Sequence, residues 1–219
     1  MNYRTFGEII KVLLTKINNL YFSFYNWIVM EIILASNSPR RKKILTDLGL
    51  EFTVMPSNYE EKLETDIFSY DLIEDLATQK ACDVVRRVGH DEIVLGADTV
   101  VVLHNKILGK PRGKVEAFNM LRELSGQTHM VVTSLCGINT KTNRAALLST
   151  TSYVRFKNLN DDLIHYYIDE FNPLDKAGSY GIQELPDGIL DKYEGSFENI
   201  VGLAPEAVVS VLKQLSYEI

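Results

Sequence analysis

The sequence predicts an α/β fold, a mixed, elongated β-sheet flanked by helices, with two lobes around a central cleft. Strand-like apolar runs alternate with amphipathic helical patterns in the first half of the chain, as in sheets that are covered by helices. Long strand-like runs joined by polar turns dominate the middle of the chain. No repeat or linker separates these segments, so we expect residues 30–219 to form one domain.

The first half of this domain alternates strands with helices. Residues 31–35 form a short apolar run, which is typical of a buried strand. Ser38 can cap the N–H groups of a following helix, and Pro39 suits the first helical turn, where no N–H partner is needed. The same patterns predict a helix to about residue 48, a strand over 52–55 and an amphipathic helix over 69–88.

Long strands dominate the second half. Residues 93–103 are almost entirely apolar, and the dipeptide His104-Asn105 after them predicts a hairpin turn. The other expected elements are strands over 106–108, 128–139 and 145–156 and helices over 114–124, 161–170 and 205–215.

Composition and charge narrow the classes of function. The net charge is −6, which argues against a nucleic-acid partner, because a general nucleic-acid binder needs a broad basic surface. No apolar run reaches the ~18–20 residues of a membrane span, so no membrane partner is expected. The two cysteines lie far apart in no metal-binding spacing, and this usage suits a reducing cytoplasm.

The first 29 residues differ from the rest of the chain. They contain an aromatic-rich run without charge, but no small-residue cleavage site typical of a signal peptide. Met30 stands immediately before the first predicted strand. We therefore expect residues 1–29 to be a leader or an N-terminal extension of the working domain.

The junction at residues 36–41 predicts a binding site for phosphate groups. Here a strand leads directly into a helix, and a helix start attracts anions because its N–H groups are unpaired and its dipole is positive. Arg40 and Arg41 add guanidinium groups that suit phosphate oxygens, although they oppose the helix dipole. The alternative interpretation is a capped, solvated helix with surface arginines.

Several other residues are candidates for chemistry. Asp98 is surrounded by apolar residues, so its carboxylate is expected to be paired, to hold a cation, to accept a proton from water, or merely to hydrogen-bond at a bend. Lys110 follows the hairpin and could point its charge into a cleft, although a lysine in a turn is usually solvated. Glu60 and Glu61 could suit Mg²⁺, which prefers oxygen ligands, or be surface residues.

The glycine-rich segment 173–183 predicts a shaped loop. Gln183 at its end can both donate and accept hydrogen bonds, as the recognition of a base edge requires. A surface glutamine after a glycine-rich turn is the commoner interpretation.

Six stretches, taken in order, share a common resemblance. They are Leu-Ala-Ser-Asn-Ser-Pro-Arg-Arg (34–41), Leu-Gly-Ala-Asp-Thr-Val-Val (95–101), Gly-Lys-Pro-Arg (109–112), Leu-Ser-Gly-Gln-Thr-His (124–129), Pro-Leu-Asp-Lys-Ala-Gly-Ser-Tyr-Gly-Ile-Gln (173–183) and Gly-Ser-Phe-Glu-Asn-Ile-Val-Gly-Leu (195–203). Together they resemble the Maf family of nucleoside triphosphate pyrophosphatases over roughly residues 31–215. The resemblance implies a Maf/ITPase-like fold and hydrolysis between the α- and β-phosphates, which yields a monophosphate and pyrophosphate.

The resemblance also implies roles for particular residues. Asp98 matches the proton acceptor of the family, and we assign Lys110 to catalysis beside it. The implied metal ligands are Asp98 and Glu61, with Mg²⁺ or Mn²⁺ as the divalent cation. Arg40, Thr99 and Gln183 match positions linked to the choice of base. The full set of implied substrate-binding residues is Ser36, Arg40, Arg41, Glu61, Lys80, Thr99 and Gln183.

The details of the motifs imply a substrate class. The segments Ser-Pro-Arg-Arg, Gly-Lys-Pro and Gly-Ile-Gln resemble the branch that hydrolyses dTTP and UTP, whereas the 7-methyl-GTP branch usually has Trp where this chain has Arg40. A cytoplasmic enzyme for pyrimidine triphosphates is therefore implied, with a homodimer as one option for its assembly. The alternatives are the same reaction on modified pyrimidine triphosphates, 7-methyl-GTP or damaged purine nucleotides, and a nucleotide-binding regulator of cell division.

Two positions depart from the family pattern. Glu184 follows Gln183 where the family commonly has Gly, and Ala204 stands where Pro is usual. We expect the additional carboxylate near the pocket to weaken triphosphate affinity or to alter the use of a metal.

Overall fold

The computed structural model describes residues 30–60 and 65–217 of the chain. The predicted leader at residues 1–29 and the candidate Glu61 lie outside these described residues. Within them, no helix is long and apolar enough to cross a membrane.

The described part of the chain contains seven strands, six α-helices and three short 3₁₀ turns. The strands are β1 (Glu31–Leu34), β2 (Phe52–Val54), β3 (Glu92–Leu103), β4 (Lys106–Leu108), β5 (Thr128–Asn139), β6 (Arg144–Phe156) and β7 (Leu190–Glu194). The helices are α1 (Pro39–Asp47), α2 (Tyr70–Val85), α3 (Lys114–Leu124), α4 (Asp161–Phe171), α5 (Phe197–Val201) and α6 (Pro205–Gln214). The 3₁₀ turns are Pro173–Asp175, Ala177–Ser179 and Ile182–Glu184.

The strands form one sheet in the order β2-β1-β3-β5-β6-β7, with β4 paired to β3. Strand β1 runs parallel to both β2 and β3, and the other pairs are antiparallel. The prediction of an α/β fold with a mixed sheet flanked by helices is therefore confirmed.

Helices cover both faces of the long central strand β3. On one face, Val100 and Val102 pack with Ile73 and Leu76 of α2. On the other face, Val101 belongs to the core formed with α3 and α4. Because alternate residues of a strand point to opposite faces, this packing places Asp98 on the α2 side and Thr99 on the opposite side.

The local signals in the sequence correspond to local contacts. Ser38 caps α1 by accepting a hydrogen bond from Arg41 N at 3.4 Å, and Gly49, with a φ of +73°, follows the end of the helix. His104 and Asn105 both have positive φ values, 49° and 66°, as a tight two-residue hairpin turn requires. The turn between β3 and β4 is therefore the predicted one.

A gap in strand pairing along β3 creates the cleft. Strand β1 pairs with β3 only as far as Leu95, and β4 begins its pairing at Val101. Among the described residues, no strand pairs with residues 96–100 on this side of β3. Backbone groups of these residues on this edge of β3 therefore face a space between β1 and β4, and the side chains project above and below it.

Candidate active site

A cavity of about 630 Å³ opens at this gap in the sheet. Its walls come from the β1–α1 junction, α2, the middle of β3, the loop after β4 and the segment that contains the 3₁₀ turns. The cavity brings together eight predicted site residues: Ser36, Arg40, Arg41, Lys80, Asp98, Thr99, Lys110 and Gln183. The candidate Glu60 is exposed and does not line it.

Asp98 forms the acidic centre of the cavity. Its side chain is only 9% exposed, and its carboxylate forms an ion pair with Nζ of Lys80, whose side chain is 13% exposed. A buried carboxylate needs such a partner, because an isolated charge loses its hydration without compensation. The interpretation of Asp98 as a paired, buried carboxylate therefore fits the structure better than a mere hydrogen bond at a bend.

A glycine in β3 positions Lys80 beside Asp98. A Cβ atom at Gly96 would lie 2.5 Å from the Ala77 carbonyl oxygen and 2.5 Å from the Ala81 nitrogen. Only glycine allows α2 to approach the strand this closely, since both of these contacts are with backbone atoms. The close approach places Lys80, one residue before Ala81, next to the carboxylate.

Arg41 binds protein groups rather than projecting freely into the cavity. Its guanidinium donates to the Gly202 carbonyl oxygen at 3.0 Å, the Ala97 carbonyl oxygen at 2.9 Å, Ser36 Oγ at 3.3 Å and Thr99 Oγ1 at 2.9 Å. The Ala97 carbonyl lies in the gap where β3 has no neighbouring strand. Arg41 thus supplies the hydrogen bond that a strand would supply, and it holds two other predicted site residues in place.

Thr99 is anchored on the face of the sheet opposite to Asp98. Its hydroxyl also hydrogen-bonds Thr133 Oγ1 at 3.0 Å and donates to the Gly202 carbonyl oxygen at 3.2 Å. The buried Asn199 fixes this region by donating to the Val131 carbonyl oxygen at 3.0 Å. Sequence analysis assigned Asn199 no role of its own, although it lies in the last of the six family-like stretches.

A second cluster of charged side chains lies along the cavity wall. Arg40 Nη1 is 3.7 Å from Asp175 Oδ2, and Lys176 Nζ is 2.8 Å from Asp175 Oδ1 and 3.1 Å from Glu184 Oε2. Burial raises the pKa of Asp175, but the hydrogen bond from Lys176 and the charges of Lys176 and Arg40 outweigh it, so the pKa lies below its usual value. The Glu184 carboxylate is thus balanced locally by a buried ammonium group.

Lys110 and Gln183 present exposed side chains to the cavity. Within the described residues, neither side chain has a hydrogen-bonding or ion-pair partner. The loop that carries Lys110 is held at Gly109, whose carbonyl oxygen accepts from Gly178 N at 3.0 Å. Both side chains are therefore available to a ligand while their backbones are anchored.

The donor set for a metal ion includes one carboxylate, that of Asp98, at the centre of the cavity. Across residues 30–60 and 65–217, no group of three or more His, Cys, Asp or Glu side chains could hold a metal by itself. Magnesium usually binds through one or two carboxylates together with substrate phosphates. Asp98 with a phosphate-bearing ligand fits that pattern, and the second predicted ligand, Glu61, lies outside the described residues.

His129 supports the cavity from behind without facing it. Its Nε2 atom lies 2.7 Å from Tyr180 Oη, and Tyr180 lines the cavity. Burial lowers the pKa of His129 to about 3 and raises the pKa of Tyr180, so both groups are neutral near pH 7. This pair belongs to the packing behind the site.

Comparisons with a family model and with known proteins indicate the same family. A family model described as "Maf-like protein" matches residues 31–215. The dTTP/UTP pyrophosphatase of Alkaliphilus oremlandii is 43% identical over 173 residues, which cover 79% of this chain and 90% of the relative. The dTTP/UTP pyrophosphatase of Desulforamulus reducens is 42% identical over 190 residues, which cover 86% of this chain and 98% of the relative.

A solved structure of a HAM1 protein from Coxiella burnetii is also similar. It aligns with a TM-score of 0.48 at 15% sequence identity and covers 84% of this chain and 99% of its own.

Proposed function

The chain belongs to the family of Maf-like proteins, and from this premise we propose that it hydrolyses dTTP and UTP to the nucleoside monophosphate and pyrophosphate. The two relatives described above, each named a dTTP/UTP pyrophosphatase, support the reaction and the substrate class. The observation that carries the proposal is the cavity itself, in which a buried carboxylate lies among cationic side chains suited to a triphosphate.

The triphosphate binds among the basic groups of the cleft. Arg40, Lys80 and Lys110 all line the cavity and can contact phosphate oxygens. The N-terminus of α1 adds backbone N–H groups and a favourable dipole, and Ser36 lies beside it. Arg41 supports the binding site indirectly, because its guanidinium donates hydrogen bonds to Ser36 and Thr99 and orients both.

Asp98 acts as the general base for the attacking water. A carboxylate oxygen takes a proton from the water, whose oxygen forms a bond to the α-phosphorus. The bond between the α-phosphorus and the oxygen bridging to the β-phosphate breaks, and pyrophosphate leaves. Lys80 and Lys110 stabilise the negative charge that develops on the phosphates.

We propose Mg²⁺ or Mn²⁺ as the divalent cation, held by Asp98 of the cavity and by Glu61, which lies outside the described residues. When bound, it would supply additional neutralisation of the triphosphate charge. The remaining coordination positions would be taken by phosphate oxygens and water, as is usual for magnesium.

Recognition of the base rests on Gln183, Arg40 and Thr99. The amide of Gln183 can donate to a carbonyl oxygen of uracil or thymine and accept from the neighbouring ring N–H. Both bases present this same pair of groups, so one amide serves dTTP and UTP alike. Arg40 and Thr99 both line the cavity, and Thr99 Oγ1 accepts a hydrogen bond from Arg41.

A substrate panel tests this function. Pyrophosphate release should be measured with dTTP, UTP, CTP, GTP and 7-methyl-GTP in the presence of Mg²⁺, and dTTP and UTP are expected to be the best substrates. Asp98→Asn is expected to lower kcat by about 100- to 10,000-fold, as for loss of a general base, while nucleotide binding is retained.

Two outcomes of the panel would contradict the proposal. Binding of dTTP or UTP to the wild type without pyrophosphate release would point to a nucleotide-binding regulator. Near-normal turnover by Asp98→Asn would remove this residue from the role of general base.

The proposal also covers the location, the domain bounds and the assembly of the enzyme. We infer a cytoplasmic protein whose catalytic domain spans residues 30–219, with a homodimer as its assembly. The match of the family model from residue 31 supports this domain boundary. Light scattering at several concentrations tests the dimer, and a mass of one chain throughout would exclude it.

A further inference from the structure

Four alternating charges form a chain along the wall of the cleft, and all of them except Arg40 are without a role in the proposed mechanism. In order they are Glu184, Lys176, Asp175 and Arg40, and all four line the cavity. Lys176 stands between two carboxylates, at 2.8 Å from Asp175 Oδ1 and 3.1 Å from Glu184 Oε2. Asp175 in turn stands between Lys176 and Arg40, which lies 3.7 Å from its second oxygen.

Lys176 is the central member of this chain. The residue is only 7% exposed, whereas the side chain of Asp175 is 65% exposed. A Cβ atom at Gly181 would lie 3.0 Å from Lys176 Cε, so the loop closes directly over the lysine stem. A buried ammonium group needs compensating charge, and the two carboxylates supply it.

The 3₁₀ turn Ile182–Glu184 is fixed at both of its ends. At the first end, Gly181 N donates to Tyr167 Oη at 3.0 Å. At the other end, Glu184 N donates to the Gly181 carbonyl oxygen at 2.9 Å, and the Glu184 carboxylate contacts Lys176. Gln183 lies between these anchors with an exposed side chain, so its amide position depends on them.

We propose that Glu184 is a positioning residue for base selection, which acts through Lys176 to fix the Gln183 amide and, through Asp175, the Arg40 guanidinium. The inference rests on the proposed function, in which Gln183 and Arg40 contact the base of the substrate.

The charge balance explains how Glu184 acts at a distance. If the charge of Glu184 is removed, Asp175 is the only carboxylate that remains close to Lys176. Lys176 then draws Asp175 away from Arg40, because the contact of Asp175 with Arg40 is longer than its contact with Lys176. The turn also loses one anchor, so the Gln183 amide becomes less confined. Lys80, Asp98 and Lys110 lie outside this chain of charges and keep their arrangement.

The test is a kinetic comparison of Glu184→Gln with Asp187→Asn. Asp187 is an exposed carboxylate three residues further along that does not line the cavity, so it controls for loss of one negative charge nearby. For Glu184→Gln, KM for UTP and dTTP is expected to rise by roughly tenfold, as for displacement of a substrate-positioning group. The kcat value is expected to change little, and Asp187→Asn is expected to match the wild type.

Base discrimination supplies the decisive readout. The ratio of kcat/KM for UTP to that for GTP is expected to fall in Glu184→Gln, and Glu184→Asp, which keeps the charge, is expected to recover part of it. In a double-mutant cycle, Glu184→Gln and Lys176→Met are expected to be non-additive, because both act on one network.

A purely structural role would give a different pattern. An unchanged UTP-to-GTP ratio in Glu184→Gln would overturn the inference, whether or not the melting temperature falls. If Glu184→Gln does not fold, the same ratio in Lys176→Met, which removes the ammonium group through which Glu184 acts, decides, and a wild-type value there would equally overturn it. A wild type that releases no pyrophosphate would instead contradict the proposed function.

Discussion

At the scale of single residues, two adjacent arginines illustrate how local geometry separates roles. Arg41 donates hydrogen bonds to the β1–α1 junction, to β3 and to the loop after α5, whereas Arg40 lies at the cavity wall opposite Asp175. Both arginines were predicted to bind phosphate, because the sequence shows their charge and their place in a helix start. The direction of each side chain depends on the gap in β3, which no local pattern reveals.

His129 provides a residue-scale prediction about pH and stability. Burial lowers its pKa to about 3, so the folded protein keeps this imidazole neutral while the unfolded chain binds a proton below its ordinary pKa of 6.5. The contribution to stability is therefore present above pH 6.5 and is lost as the pH falls toward 3. Relative to His129→Gln, the wild type is expected to lose up to about 1.4 kcal/mol more per pH unit in this window.

Urea unfolding at several pH values measures this difference. His90 is exposed, so His90→Gln serves as the matched control and is expected to follow the wild-type curve. Parallel stability curves for the wild type and His129→Gln between pH 6.5 and 4 would show that burial of His129 has no such cost.

At the scale of secondary-structure elements, the position of α2 against β3 determines the pairing of Lys80 with Asp98. Gly96→Ala places a methyl group 2.5 Å from two backbone atoms of α2, which cannot rotate away. The helix must shift, so the variant is expected to lose about 1–3 kcal/mol of stability and most of its activity.

Gly113→Ala is the control for this substitution. An added Cβ at Gly113 meets no atom within 4 Å, and the backbone there is extended with a φ of 177°. Thermal unfolding and UTP hydrolysis should be measured for both variants. Wild-type stability and turnover in Gly96→Ala would contradict the importance of this close approach.

The elements differ in how far the sequence predicts them. The cap at Ser38, the hairpin turn at His104-Asn105 and the apolar stripe of α2 are local signals, and each element was predicted to within a few residues. Strand β7 and helix α5 were not predicted. Most residues of β7 are exposed, so the strand has no apolar pattern. Helix α5 has only five residues, which is too short for a helical pattern to be recognised.

At the scale of the whole molecule, an acidic chain encloses a site with basic side chains. The net charge is −6, yet Arg40, Lys80 and Lys110 meet in one cavity. They come from segments far apart in sequence and are assembled by the order of strands around β3. The family resemblance predicted these three site residues. The charge chain from Glu184 to Arg40 depends on how the loop folds, so it is visible only in the structure.

The most direct test of the central claim is hydrolysis of UTP in ¹⁸O-labelled water, followed by mass spectrometry of the products. Attack of water on the α-phosphorus places one ¹⁸O atom in the phosphate of UMP and none in pyrophosphate, and this is the expected result. Label in pyrophosphate, or UDP and inorganic phosphate as products, would contradict the proposed reaction.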